Sequence, residues 1–572
     1  MPSTTHKPFR LLRRLFWVAF FASMLAGGTW LYALIWGKPW NLPHFSHRVM
    51  AETGLSDPEW QTLHGYPWLY YLSAWKFSLT DRRPAAVEKR ADLARQQLLV
   101  LERYNRERLS PAHQAEYDQL HRWLSLRAHQ EEMAAKNWVI YPEKGEPYRL
   151  IRFVTLDQPV RTNDEAEQYL SRLQWLPEAL DQVTEASAQQ LKAGKYPPKA
   201  VVLQVLEDVN AWLALSPASN PLFSAFARHI ARADPTALNR IKGMNFLKDA
   251  ETIAGSEVYP ALERMRDMLE KEALPVALDD FRLPTGNYGY YLALWSGRTL
   301  NADSLWPLVK LQVLPQAADT AKAPPLPEQI RSALVRLEGL NRQAGVWSSG
   351  MFDGQGPARP RVTSMEADMG LGVAAYLTPS LSGDRSATMA IAPLPGLLND
   401  SAALSALAFE WLTPGRHYVW AALRADSTRG WAGRLAEDPV FWQSWGLYAA
   451  WLMEEEVKVV SDTATRRALQ QRRHLAMGAF AADLALHGKG MTWKETLSWL
   501  QQQGGFSDKE ALLLATVAYY HPGEGGAAYL GFQALLQALT NAKSAQGDNF
   551  YLPDYHRELI KKAPFPLLRN QP

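Results

Sequence analysis

Apolar residues recur at three- and four-residue spacing through most of the chain, the pattern of helices that turn one face inward. Tyr169, Leu170, Leu173, Leu176 and Leu180 follow it in a helix that Asn163 and Asp164 open. Val87, Leu93, Leu98, Leu99 and Leu101 follow it among charges after Pro84, and Ser110 with Pro111 reads as an N-cap and a proline at the first helical position. Further helical runs start at Ser401, at Asp438 and near Thr465. The texture changes in two places. Residues 318–328, with Pro324, Pro325 and Pro327, form a linker or long loop. Within 374–392, prolines, glycines and serines flank the apolar segment 387–392, a candidate strand. The pattern predicts a mainly α-helical protein with a small β element, and it contains no internal repeat.

Residues 15–36 are 22 positions without a charge. At 1.5 Å per residue they reach about 33 Å, enough for the hydrocarbon core of a bilayer. Lys7, Arg10, Arg13 and Arg14 precede the span and only Lys38 closely follows it, so the positive-inside rule places residues 1–14 in the cytoplasm. The rest of the chain is then expected on the opposite side of the cytoplasmic membrane, which is the periplasm if the cell has two membranes. Trp17 at one end and Trp30, Tyr32 and Trp36 at the other suit interfacial anchoring. A cleaved signal peptide has a shorter core of about 7–15 residues, and Met24 and Trp36 spoil the small-residue cleavage sites, so an uncleaved anchor is the preferred reading. Ala19, Ser23 and Gly27 form a small-residue stripe that either supports a homo-oligomer within the membrane or is incidental.

Composition narrows the function. The net charge of +3 combines five basic residues in the first 40 positions with 56 basic against 58 acidic residues in the remainder, a body of about −2. Such a body gives no general case for nucleic-acid binding. With no cysteine, thiol catalysis, cysteine-bound zinc and disulfides are excluded. H-E-x-x-H, G-x-S-x-G and G-x-x-x-x-G-K are all missing.

One segment nonetheless has the outline of a metallopeptidase site. It runs through Phe409, Glu410, Trp411, Pro414, Gly415, Arg416 and His417, and a second block holds Gln443, Trp445, Gly446, Leu447, Tyr448, Ala449 and Ala450. Around them stand Tyr376, Pro379, Ser380, Gly383 and Arg385 on one side, and Asp483, Leu486, His487, Lys489, Gly490, Pro522, Gly523, Tyr529 and Gly531 on the other. Order and content resemble the bacterial family catalogued as domain of unknown function 885, whose hallmarks are H-E-x-x-P-G-H-H, E-G-W-A-L-Y-A-E and D-T-G-L-H-x-K-G. The resemblance extends from about residue 50 to the end.

The resemblance implies a large helical, zincin-like body in which motif histidines and a downstream glutamate hold zinc and a motif glutamate serves as base. A zinc hydrolase needs three protein ligands, an open position for water and a proton acceptor. Aligned on Pro414 and Gly415, the first histidine becomes Glu410 and the base Trp411. Aligned on Glu410, the base survives but the first histidine becomes Phe409. The downstream glutamate stands as Gln443, the paired histidines as Arg416 and His417, and an arginine common in the family as Ala479. The remnant metal positions are therefore Glu410, Arg416, His417 and Gln443, and the remnant catalytic positions Glu410 and Trp411. The remnant cleft comprises Tyr376, Arg385, Trp445, Tyr448, Asp483, His487 and Tyr529. A plainer reading of Phe409, Trp411 and Trp445 is core packing, and of His417, His487 and Asp483 ordinary hydrogen bonding. Tyr529 and Arg385 are open to binding a peptide-like carboxylate.

The expected organisation is a basic tail (1–14), a transmembrane helix (15–36), a helical N-terminal half (45–317), the linker (318–328) and a C-terminal half with degenerate motifs (329–572). The expected function is that of a pseudopeptidase anchored in the bilayer, which binds a peptide, envelope fragment or partner protein and carries no cofactor. The alternatives are an active metal-dependent hydrolase using zinc with unusual ligands, and a structural subunit of a membrane complex.

Overall fold

The computed structural model describes residues 7–65, 77–234, 236–314, 325–352, 356–381, 383, 385–435 and 438–563. Most of the expected linker, and Ser382 and Asp384 in the run before Arg385, lie outside the described residues. The architecture is mostly helical with one small sheet, as the hydrophobic pattern predicts. Helix α1 (Lys7–Ile35) contains the stretch Leu15–Ile35, one helix long and apolar enough to cross a membrane. Its side chains from Leu15 to Tyr32 are exposed. Helix α2 (Leu42–Ser56) grips its end, because Arg48 Nη1 donates to the carbonyls of Leu34 at 3.2 Å and Gly37 at 2.7 Å. Terminal carbonyls without intrahelical partners are thereby satisfied.

The N-terminal half packs α3 (Pro84–Leu101) on α4 (Pro111–Lys136), then α5 (Asn163–Lys192) and α6 (Lys199–Ala214). Caps set these starts where the sequence predicts them. Ser110 accepts from the His113 amide, and Thr162 from the Glu165 amide. The leucine stripe of α5 is buried with Val205, Val209 and Phe226 in one core.

After α7 (Pro327–Ser348) come β1 (Arg361–Ser364), β2 (Ala374–Leu377) and β3 (Thr388–Ile391). The segment expected as a strand, β3, is central. It runs parallel to β1, with Arg361 opposite Thr388, and antiparallel to β2, with Tyr376 opposite Met389. The other two strands, four residues each, are too short for a period-two signal.

The C-terminal half consists of α8 (Ser401–Trp411), α9 (Arg416–Ala425), α10 (Pro439–Glu455), α11 (Thr463–Asp483), α12 (Trp493–Gly504), α13 (Asp508–Tyr520) and α14 (Glu524–Gln546). Asp400, Asp438 and Asp462 cap α8, α10 and α11. Helix α8 lies against α10 and α11, and α14 lies against the same two. Their shared core includes Phe409, Phe441, Trp445, Tyr448 and Phe480, and reaches back to Tyr288 and Trp295. The segment that resembles a peptidase site is the junction of α8, α9, α10 and α11.

Candidate functional site

Helix α8 carries an apolar sequence into the core and ends with Glu410, which is 2% exposed. A carboxylate there needs compensating partners. It has two. Arg416, at the start of α9, donates to Oε1, and Arg472 on α11 donates from Nε to Oε2 at 2.7 Å. Burial pushes the Glu410 carboxyl up, but Arg472 and Arg416 outweigh it and hold the group below its usual range. The Arg416 guanidinium also lies over Trp411, its carbon 4.1 Å from the ring centroid. Two glycines permit this approach. A Cβ on Gly446 of α10 would stand 2.8 Å from both Arg416 Nε and Glu410 Cγ, and one on Gly415 would stand 2.2 Å from the Glu410 carbonyl oxygen.

One position on, His417 is fully buried with both ring nitrogens engaged. Nε2 donates to the Ala358 carbonyl at 2.9 Å, since that oxygen can only accept. Nδ1 then accepts from the Tyr376 hydroxyl at 2.7 Å. Burial lowers the imidazole to about 4, so the ring is neutral and has no lone pair to spare.

Gln443, one turn before Gly446 on α10, leads to a second polar group. Its amide donates to Glu524 Oε1 at 2.9 Å, and Lys144 Nζ reaches the same oxygen at 2.7 Å. Glu524 Oε2 lies 3.5 Å from His521 Nδ1, and His521 Nε2 lies 3.0 Å from the Tyr141 hydroxyl. Burial lowers His521 to about 4, whereas Glu524, despite burial, is held below its usual range by Lys144 and His521. This group joins the two halves of the chain. Sequence reasoning missed Tyr141, Lys144, His521, Glu524 and Arg472. Only His521 and Glu524 had a visible signal, since they flank Pro522 and Gly523.

The other positions singled out in the sequence make hydrogen bonds and ring contacts to the surrounding framework. Asp483 accepts from the Gly523 amide at 2.9 Å and the Gly526 amide at 3.1 Å, holding the start of α14, and Tyr288 reaches it at 3.4 Å. Burial outweighs these donors and pushes its carboxyl up to about 7. His487 Nε2 donates to the Ala518 carbonyl, with its ring parallel to Tyr288. Trp445 Nε1 donates to the Pro414 carbonyl at 3.1 Å, and Tyr448 bonds His556. Arg385 donates to the carbonyls of Thr62, Leu63, Asp157 and Thr378, a backbone clamp that shares no partner with Glu410. Tyr529 accepts from Gln533 and stacks on Phe480.

These residues do not fit zinc. Both Glu410 oxygens face guanidinium groups that would repel the cation, His417 has no free lone pair, and Gln443 offers a neutral amide. Among the described residues, no three His, Asp or Glu side chains gather to hold a metal ion.

A comparison with curated proteins finds no match. Solved structures share the fold, among them the following two. A protein from Colwellia psychrerythraea described as a "putative lipoprotein" aligns over 92% of this chain and 97% of its own, with a TM-score of 0.74 at 16% identity. A "putative lipoprotein of unknown function" from Shewanella oneidensis aligns over 92% and 98%, with a TM-score of 0.55 at 14% identity. The family of bacterial proteins of unknown function designated DUF885 matches residues 58–308 and 336–570, so the polar junctions of α8 to α11 and of α14 are built within its domain, and the chain belongs to that family.

Proposed function

We propose that the protein is a membrane-anchored, extracytoplasmic pseudopeptidase that binds a peptide, an envelope fragment or a partner protein without cleaving it. The observation that carries this reading is the enclosure of Glu410 between Arg416 and Arg472, which puts fixed positive charge where a peptidase of this outline needs a metal and a base. The engagement of both His417 nitrogens supports it.

Membrane attachment rests on a chemical contrast. The two structural neighbours are described as lipoproteins, yet this chain has no cysteine on which a thiol-linked lipid could be placed. The apolar helix Leu15–Ile35 supplies an anchor instead, with the basic flank in the cytoplasm and the body in the periplasm.

A hydrolase reading has one observation in its favour: Tyr141, His521 and Glu524 line up as hydroxyl, imidazole and carboxylate. Against it, Glu524 already holds Lys144 and Gln443.

The test is metal analysis and peptide hydrolysis on the detergent-solubilised chain. We expect no stoichiometric zinc and no turnover that Glu410→Gln, His417→Ala or His521→Ala alters. One tightly held zinc per chain, with chelator-sensitive hydrolysis lost in the Glu410 or His417 variant, would overturn the proposal. Hydrolysis lost only in His521→Ala would move the function to the second polar group. Crosslinked pull-down from membranes then separates a binder from a structural subunit, which would stay in one fixed complex.

A further inference from the structure

The charges around Glu410 do not balance. Two guanidinium groups share one carboxylate, and among the described residues no other acidic side chain pairs with Arg416 or Arg472. A surplus of one positive charge is therefore held in a largely buried place, where an uncompensated charge is costly. Donors are in surplus as well. Among the described residues Arg416 Nε and Trp411 Nε1 are both buried N–H groups with no acceptor, and the Arg416 guanidinium carbon lies 4.1 Å from the Trp411 ring centroid. Solvent reaches the cluster from the arginine side: the Arg472 side chain is 26% exposed and that of Arg416 16%, against 3% for Glu410.

We propose that Arg416 and Arg472 form a binding site for a carboxylate group of a peptide-like ligand. This deepens the binding reading above and rests on it. Three features select the ligand chemistry. The cluster carries a net charge of one, so a monoanionic carboxylate neutralises it, whereas a doubly charged phosphate would leave a buried excess of negative charge. Arg416 sits over the Trp411 ring and donates to Glu410 through Nη2, and a guanidinium fork suits a planar carboxylate acceptor. Glu410 already displays the geometry, with one carboxylate bridging both guanidinium groups. Where a peptidase of this outline holds a metal that polarises a carbonyl and activates water, this chain holds guanidinium groups, which can pair with a carboxylate but activate no water.

The experiment is calorimetric titration of the detergent-solubilised full chain at fixed ionic strength, with N-acetylalanine, N-acetylalaninamide and inorganic phosphate as probes. N-acetylalanine should bind saturably, the amide should not bind, and phosphate should bind more weakly than the carboxylate. Arg472→Gln should weaken N-acetylalanine binding about tenfold or more, as loss of a charge-assisted hydrogen bond does. Arg472→Lys keeps the charge and the counter-ion of Glu410 but lacks the fork, so it reports on a folded protein even if the glutamine variant does not fold; it should bind several-fold more weakly than the parent. Absence of N-acetylalanine binding, equal binding of the amide, tighter binding of phosphate, or undiminished affinity in the lysine variant would each overturn the proposal. These results leave the pseudopeptidase reading in place, since that reading falls only on zinc-dependent or His521-dependent turnover.

Discussion

Tyr448 donates its hydroxyl proton to His556 Nε2 at 2.9 Å, while His556 Nδ1 donates to the Met351 carbonyl at 2.8 Å. Tyr376 and His417 repeat this relationship with the nitrogens exchanged. In both pairs a tyrosine and a backbone carbonyl fix a fully buried imidazole in one neutral tautomer.

That device predicts acid sensitivity. Burial lowers His229, His417, His521 and His556 to about 4 from 6.5. Below about pH 6.5 the unfolded chain takes up protons that the folded chain refuses, so stability is complete above that pH and falls as pH drops toward 4. Each of the two fully buried rings, His417 and His556, contributes on the order of 3 kcal/mol across the window. Asp483 works in the opposite sense, because its raised pKa favours the folded state at low pH and withdraws that support as pH rises through about 7. Burial also raises Glu116, Glu143, Asp157 and Asp208, and it also lowers His47, His64, His129 and His487, so among the described residues eight lowered histidines stand against five raised carboxylates and the histidines set the sign. Carboxylates held low, such as Glu146 at about 2, respond only further down. Thermal unfolding between pH 7.5 and 4.5 should show a falling midpoint, with a shallower slope in His417→Gln and His556→Gln. A flat profile, or a slope unchanged in both variants, contradicts this account.

Glu410→Gln should destabilise the protein by about 3–5 kcal/mol, because it strands Arg416 and Arg472 with an amide in place of their shared counter-charge. Denaturant unfolding of the body measures it. A change within about 0.5 kcal/mol, the range of ordinary surface substitutions, would mean that solvent already screens the cluster.

Much of the helical frame was legible because its signals are local. The leucine stripe of α5 and the polar or proline starts at Pro84, Ser110, Asn163, Ser401 and Asp438 each act within a few residues, and each marks a helix start within a residue or two. The strand at 387–392 was visible as an apolar segment between breakers, but β1 and β2 were not, since they exist only through pairing with β3. The candidate site was half legible. Glu410, Arg416 and His417 stood in a recognisable segment, yet what decides their chemistry comes from elsewhere: Arg472 is 62 residues from Glu410, and Lys144 is 380 residues from Glu524. No periodicity or spacing rule reports a long-range ion pair. The pairing of Tyr376 with His417 was hidden for the same reason, although both were singled out separately.

The apolar helix supports a topological prediction. Leu15–Ile35 is 21 residues, about 32 Å at 1.5 Å per residue, with large apolar side chains exposed along it. Exposed apolar surface of that extent needs a lipid or protein cover. Four basic residues precede the span, and Arg48 of α2 caps its far end by donating to Leu34 and Gly37. A helix held to the body in this way is expected to remain part of the mature protein. Protease added to spheroplasts should therefore digest the large domain, while intact cells protect it. Arg48→Ala should speed cleavage at residues 36–41, because it frees the carbonyls that tie the anchor to α2. Full protection of the domain in spheroplasts, or a mature N-terminus beyond residue 22, would overturn the assignment. Unchanged cleavage at the junction in the Arg48 variant would show that Tyr104, whose hydroxyl donates to the Pro39 carbonyl at 2.6 Å, is enough to hold it.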